Sequence, residues 1–142
     1  MKIFSFLFFA FLFFSNNAQS NEISKVVIQN ENSSSISILA EVMITESQQA
    51  RGMMYRKSLD KDKGMLFLFN EPKRAVFWMK NTYIPLDLIF IKKGGGIDSI
   101  HENLEPLSTK KIKSRNDVIA VLEISGGQVK INKINLDSKI LF

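Results

Sequence analysis

Apolar and polar residues alternate near the start of the chain. Every second residue from Ile36 to Ile44 is apolar, while Ser37 and Glu41 lie on the other side. A period of two is typical of a strand with one buried face. The segment Ile23 to Ile28 predicts a shorter strand before it, and a polar connection joins the two.

A short helix is predicted directly after this alternation. Thr45 is followed three residues later by Gln48, the spacing of a capping box. The box predicts a helix of about two turns that begins at Thr45. Gly52 weakens that helix, which indicates either an early end or close packing at this point.

The rest of the chain is a series of short apolar runs separated by turn residues. Gly94–Gly96 is typical of a hairpin connection, Glu102–Asn116 is the longest candidate loop, and Asp117–Ile124 is apolar on both faces, as in a central strand. A brief helix or bend and a last strand near Lys139–Phe142 close the chain. The other runs predicted to be strands are MLFLF, RAVFWMK, LDLIFIKK and IDSIH. The pattern predicts a mainly β fold with one or two short helices, a small compact β-barrel or sandwich-like single domain.

The first twenty residues have the features of a secretory signal peptide. Lys2 precedes an apolar segment from Ile3 to Phe14, and small residues, Ala18 and Ser20, follow it. Cleavage after Ser20 would leave residues 21–142 as the mature domain. An uncleaved membrane anchor is the alternative, although about 12 apolar residues are few for the ~20 that a bilayer span needs. The sequence therefore predicts export to the periplasm or the extracellular space.

Composition limits how such an exported domain is stabilised and what it binds. The chain has no Cys, so the mature domain has no disulfide and depends on its core. Loss of Lys2 leaves 18 basic and 14 acidic residues, a net charge of +4, which suits anionic envelope polymers or lipid head groups. The basic segment Thr109–Arg115 lacks aromatic residues on which bases could stack, so nucleic acid is not predicted as a partner. We expect no stable membrane insertion after cleavage, and nothing in the sequence indicates an oligomeric state.

Two carboxylates lie on strand faces that are otherwise apolar. Asp87 shares its face with Ile89, and Glu123 shares its face with Val121. A buried carboxylate must pair with a cation, accept backbone N–H bonds or hold a proton. We expect Arg51 or Lys80 to pair with one of the two carboxylates.

Three functional interpretations use these residues. The leading one is a non-enzymatic binding domain with a polar cleft for a polar small molecule such as an envelope glycan fragment. The second is a hydrolase that uses Asp87 and Glu123 as acid and base, and the third is a structural or interaction domain without a small-molecule site. The residues predicted to bind the ligand are Arg51, Trp78, Lys80, Asn81, Thr82, Asp87 and Glu123.

Other chemistry has little support in the sequence. The methionines and the single histidine, His101, are irregularly spaced and are better explained as core and surface residues than as copper ligands. The serines lack the context of an activated nucleophile. We therefore predict no metal, no cofactor and no catalytic nucleophile.

Several motifs together resemble a known family. The segments ARGMMYRKSLDKDKGMLFLF, FWMKNTYIPLDLIF, IHENLEPL and VLEI occur in the order and approximate spacing of the DUF192 family, small and often exported prokaryotic domains without an established activity. The resemblance runs from Ile38 to Phe142 and implies a compact, mainly β domain. The family's usual Gly-Asp pair before the last strand is replaced here by Asp137-Ser138.

Overall fold

Nine strands and two short helices form the part of the chain that the structure describes. The structure is a computed structural model that describes residues 21–142, so the predicted leader, residues 1–20, lies outside the described residues. The elements are β1 (Ile23–Gln29), β2 (Ser35–Met43), α1 (Glu46–Arg51), β3 (Lys63–Lys73), β4 (Val76–Phe77), β5 (Leu86–Ile91), β6 (Ile97–Leu104), β7 (Ile112–Lys113), β8 (Val118–Ser125), α2 (Gln128–Ile131) and β9 (Lys139–Leu141). No helix within residues 21–142 is long and apolar enough to cross a membrane.

Seven of the strands form one curled sheet. Their order is β6-β5-β8-β3-β2-β1-β9, and all neighbours are antiparallel except β2 and β3. The parallel pair requires a crossover connection, and this connection contains α1. The small strands β4 and β7 pair separately. The central position predicted for the strand at Asp117–Ile124 is confirmed, because β8 lies between β5 and β3.

The two ends of the sheet meet at the glycine-rich turn between β5 and β6. Gly96 forms an isolated bridge with Lys139 of β9, and the N–H of Ile140 donates to the carbonyl of Gly95 at 2.8 Å. Gly95 has a φ of +87°, and a Cβ there would lie 2.2 Å from the carbonyl oxygen of Ile140. Only glycine permits this contact. The predicted fold class, mainly β with two short helices in a compact domain, is confirmed.

The sheet separates two apolar layers. The first contains Leu122 and Ile124 of β8 and packs against Val129 of α2. The second contains Phe67 of β3 and Val121 of β8, and it is covered by the segment after α1 together with β4 and β7. Each face of the sheet thus has its own cover.

Local patterns in the sequence predicted α1 correctly and one loop incorrectly. Thr45 Oγ1 accepts from the N–H of Gln48, and Gln48 Oε1 accepts from the N–H of Thr45 at 2.9 Å, so the capping box is confirmed. Gly52 both ends the helix and packs closely, since a Cβ there would lie 3.3 Å from the Phe67 ring. The loop predicted at Glu102–Asn116 is too long, because β6 extends to Leu104 and β7 lies within it. The run RAVFWMK forms a strand only at Val76–Phe77.

Candidate functional site

Asp87 is completely buried and is held by backbone donors. Its Oδ1 accepts from the N–H of Asn103 at 2.7 Å and of Gly127 at 3.1 Å, and its Oδ2 accepts from the N–H of Val129 at 2.8 Å. These three bonds fix the start of α2 and the end of β6 to β5. Asp87 therefore has a structural role, and the expectation of a cation partner for it is wrong.

Glu123 lies on the other face of the sheet. In the antiparallel register Asp87 is opposite Ile124, whereas Glu123 is opposite Leu88 of β5 and Met65 of β3. Opposed residues share a face and successive residues alternate, so the side chains of Asp87 and Glu123 point to opposite sides. The expectation that both carboxylates form one cleft is wrong, and so is a hydrolase that uses them together as acid and base.

Glu123 lines a cavity of about 480 Å³, which we call the Glu123 cavity. One side is formed by α1 and the residues after it, and the other by the end of β3 together with β4. The aromatic side chains that line the cavity are Phe67, Phe69, Phe77 and Trp78. Exposed residues, Arg51, Lys73, Arg74 and Trp78, also line it, so the cavity opens to solvent, and we call these four its mouth.

The Glu123 side chain is buried, and one of its carboxyl oxygens has no hydrogen-bond partner within residues 21–142. The residue is only 5 % exposed, and its Oε2 accepts no hydrogen bond from any residue in the range 21–142. Burial raises the pKa of Glu123 to about 8, although the positive charge of Arg56 opposes this rise. At neutral pH the group is therefore a protonated carboxyl that can both donate and accept.

Arg56 does not neutralise Glu123 because it is engaged by another carboxylate. Arg56 Nη2 donates to Glu41 Oε2 at 2.8 Å, and Nη1 donates to the second oxygen. The hydrogen bond from Arg56 holds the pKa of Glu41 below its usual value, which burial alone would raise. Glu41, Met65 and Glu123 lie directly opposite one another on three adjacent strands, so Met65 separates the two acids. The expectation that Arg51 or Lys80 pairs with a buried carboxylate is wrong for Glu123 as well: within residues 21–142 the arginine and lysine ion pairs are with Glu41, Asp60 and Asp117.

Similarity to known proteins agrees with this architecture. The sequence matches a family of uncharacterised proteins, DUF192, described as "Uncharacterized ACR", over residues 26–142. The chain belongs to the DUF192 family. No curated protein matches the sequence.

Two solved structures share the fold of this DUF192 domain. One is a protein from Sinorhizobium meliloti 1021 that is called a "putative transcription regulator"; it is 37% identical over 86% of this chain and 95% of its own, with a TM-score of 0.84. The other is a protein of unknown function from Novosphingobium aromaticivorans DSM 12444; it is 32% identical over 89% of each chain, also with a TM-score of 0.84.

Three other residues predicted to bind a ligand line the cavity of this DUF192 domain. Arg51 and Trp78 do so from the mouth, and Thr82, which is only 4 % exposed, does so from inside. Thr82 Oγ1 donates to the carbonyl of Lys80 at 3.2 Å and keeps its lone pairs for a ligand.

Lys80 and Asn81 lie beside the cavity without lining it. Lys80 Nζ is 5.1 Å from the centre of the Trp78 ring, a cation–π contact. Asn81 adopts a left-handed conformation with a φ of 54°, and its Nδ2 donates to the Tyr55 hydroxyl at 2.9 Å. Asn81 therefore shapes the turn that carries Trp78 and Thr82.

Part of the site was not predicted from the sequence. Lys73 and Arg74 follow the apolar part of β3 and have the composition of an ordinary solvated strand end, and Phe69 belongs to a run that predicts core. Only the pairing of β4 with β7, which brings the chain back over the sheet, places these residues around Glu123. No group of three or more His, Asp or Glu side chains within residues 21–142 is arranged to hold a metal ion.

Proposed function

We propose that this DUF192 domain binds a small polar molecule, of the class of an envelope glycan fragment, in the Glu123 cavity. One observation carries the proposal: Glu123 lines an open cavity with aromatic walls, and its buried Oε2 has no hydrogen-bond partner among residues 21–142. A buried polar group without a partner costs free energy, about 1–3 kcal/mol. A ligand that hydrogen-bonds to Glu123 would recover that cost.

The dimensions and surfaces of the cavity support this class of ligand. Its volume of about 480 Å³ falls in the usual range for small-molecule sites. Trp78 is 44 % exposed and offers a flat ring face, while Glu123 and Thr82 offer hydrogen-bonding groups further in. Sugars present both features, apolar ring faces and hydroxyl groups.

A binding role is favoured over catalysis by the composition of the cavity. Glu123 is the one carboxylate among the described residues that line it, so the second acid of a two-carboxylate glycosidase is missing there. We therefore propose a non-enzymatic domain that uses no cofactor.

The proposal includes export. The leader at residues 1–20 would deliver the domain to the periplasm or the extracellular space, where glycans are abundant, and the cleaved domain would not remain inserted in a membrane. The basic segment Thr109–Arg115 offers no aromatic residue on which single-stranded bases could stack, so single-stranded nucleic acid is not part of the proposal.

Binding can be tested with N-acetylglucosamine and its short oligomers, titrated into the purified protein while amide NMR signals are recorded. We expect shifts concentrated around Glu123, Thr82 and Trp78. Trp78→Ala should weaken binding by about tenfold, which corresponds to a loss of about 1.4 kcal/mol of contact with the sugar ring.

Phe142→Ala is the matched control. It removes an aromatic side chain of similar exposure, 50 %, that does not line the cavity, so the affinity should not change. Failure of all saccharides to bind, or equal affinities for the wild type and for Trp78→Ala, would contradict the proposed function.

A further inference from the structure

The mouth of the Glu123 cavity has an excess of positive charge. Arg51, Lys73 and Arg74 line it, and Glu123 is the single acid among the described lining residues. Within residues 21–142, neither Arg51 nor Lys73 forms a salt bridge, and Arg74 Nε lies 3.7 Å from Asp117 in a pair whose side chains are both more than 60 % exposed. Exposed pairs of this kind contribute little, so all three cations remain available to a ligand.

Lys73 is held at the aromatic wall. Its Nζ lies 4.2 Å from the centre of the Phe69 ring, and both residues line the cavity. A cation–π contact orients an ammonium group and leaves its N–H donors free. Lys80 is placed over Trp78 in a similar way. Aromatic surface and positive charge are therefore adjacent on two sides of the cavity.

We infer that the ligand is an acidic saccharide, with a carboxylate held by Arg51, Lys73 and Arg74 at the mouth and a ring hydroxyl or carbonyl oxygen hydrogen-bonded to Glu123. This inference rests on the proposed function and specifies its ligand. The cations supply charge-assisted hydrogen bonds, which are stronger than neutral ones. The buried acid recognises a neutral part of the same molecule.

When Glu123 is protonated, it can bind the neutral part of the ligand without repelling the carboxylate held at the mouth. A neutral carboxyl donates a hydrogen bond and does not repel the anion, whereas an ionised one would repel it. The other charged groups around the cavity have an excess of cations: they are Arg51 on α1, Lys73 and Arg74 at the end of β3, Asp117 beside Arg74, and the Arg56–Glu41 pair. Affinity for the anion should therefore fall when Glu123 ionises in alkaline solution.

The test compares N-acetylglucosamine with N-acetylmuramic acid, which differs from it by one lactyl ether that carries a carboxylate. Titration calorimetry on the purified protein should give about tenfold tighter binding of the acid at low ionic strength, and this advantage should shrink as salt is added. Arg51→Gln and Lys73→Gln should each reduce the affinity for the acid without reducing that for the neutral sugar. Lys130→Gln on α2, which covers the opposite face, makes the same charge change and should have no effect.

A pH series adds a second readout. Between pH 7 and pH 9 the wild type should lose affinity for N-acetylmuramic acid, whereas Glu123→Gln should bind it with the same affinity throughout. Equal affinity of the wild type for both sugars would overturn the inference and leave the proposed function standing. Binding of neither sugar would overturn both. Acetate that binds as tightly as N-acetylmuramic acid would overturn the role of the saccharide ring.

Discussion

Replacement of Glu123 by glutamine should remove a specific pH dependence of stability. Burial raises the pKa of Glu123 from 4.5 to about 8 in the folded protein. Between these values the unfolded chain has released the proton and the folded chain still holds it, so the unfolded state binds fewer protons. The free energy of unfolding therefore falls as pH rises through this range and levels off above pH 8.

The magnitude follows from the difference between the two pKa values. One pKa unit corresponds to about 1.4 kcal/mol, so the loss between pH 4.5 and pH 8 is at most about 5 kcal/mol. Glutamine has nearly the same shape and does not ionise. The advantage of Glu123→Gln over the wild type should therefore grow by about 1.4 kcal/mol per pH unit from pH 5 to pH 8.

Urea denaturation at each pH from 5 to 9, in a buffer of constant ionic strength, measures this difference. Burial lowers the pKa of His101, which makes stability rise with pH near 6.5, but this contribution is present in both proteins and cancels. Asp98→Asn is the matched control. Burial would raise the pKa of Asp98, but hydrogen bonds from the Asn116 side chain and the Arg115 N–H hold it below its usual value, so its contribution is complete above pH 5 and its loss should cost the same at pH 7 and pH 9.

A constant difference between Glu123→Gln and the wild type from pH 5 to pH 9 would refute this reasoning. It would mean that the Glu123 carboxyl ionises normally and is therefore hydrated or paired in solution. The Glu123 carboxyl could then not act as the neutral hydrogen-bond donor that the proposed ligand site uses.

Three further predictions concern the frame of the domain and its export. Asp87→Asn should lower the free energy of unfolding by about 3 kcal/mol, because an amide cannot accept all three backbone N–H bonds, while N-acetylglucosamine affinity measured on the folded variant stays unchanged. Gly95→Ala should destabilise the protein far more than Gly94→Ala in thermal unfolding. Both glycines have φ near +88°, but a Cβ on Gly95 would lie 2.2 Å from the carbonyl oxygen of Ile140, whereas a Cβ on Gly94 would meet nothing within 4 Å. Equal losses of stability would contradict the close contact at Gly95. N-terminal sequencing of the protein recovered outside the cytoplasm should begin at residue 21, and retention of residues 1–20 would favour the anchor instead.

The elements of the fold were largely predictable because they depend on local patterns. The alternation from Ile36 to Ile44 gave β2, the capping box at Thr45 gave α1, and the apolar segment Asp117–Ile124 gave the central strand β8. β4 was predicted only as part of a longer strand, and neither β7 nor its pairing with β4 was predicted. Two residues per strand leave no periodicity to detect, and the partners lie 35 residues apart in the register that joins Phe77 to Ile112.

The candidate site was only half predictable for a different reason. Asp87 and Glu123 give the same signal, a carboxylate on an apolar strand face. What distinguishes them is supplied by distant chain segments: the donors to Asp87 come from 16, 40 and 42 residues away, and no donor reaches Glu123 Oε2 from the described residues. A one-residue difference in register decides which face each acid occupies.

The mouth of the Glu123 cavity is made of side chains that contribute little to the core. Arg51, Lys73, Arg74 and Trp78 are exposed, whereas the acid beneath them is fixed in a central strand. Homologues can therefore acquire different ligand preferences by exchange of a few surface residues, because these exchanges leave the core and the folding of the domain unaffected. The same separation makes the domain a practical scaffold for engineering new small-molecule receptors.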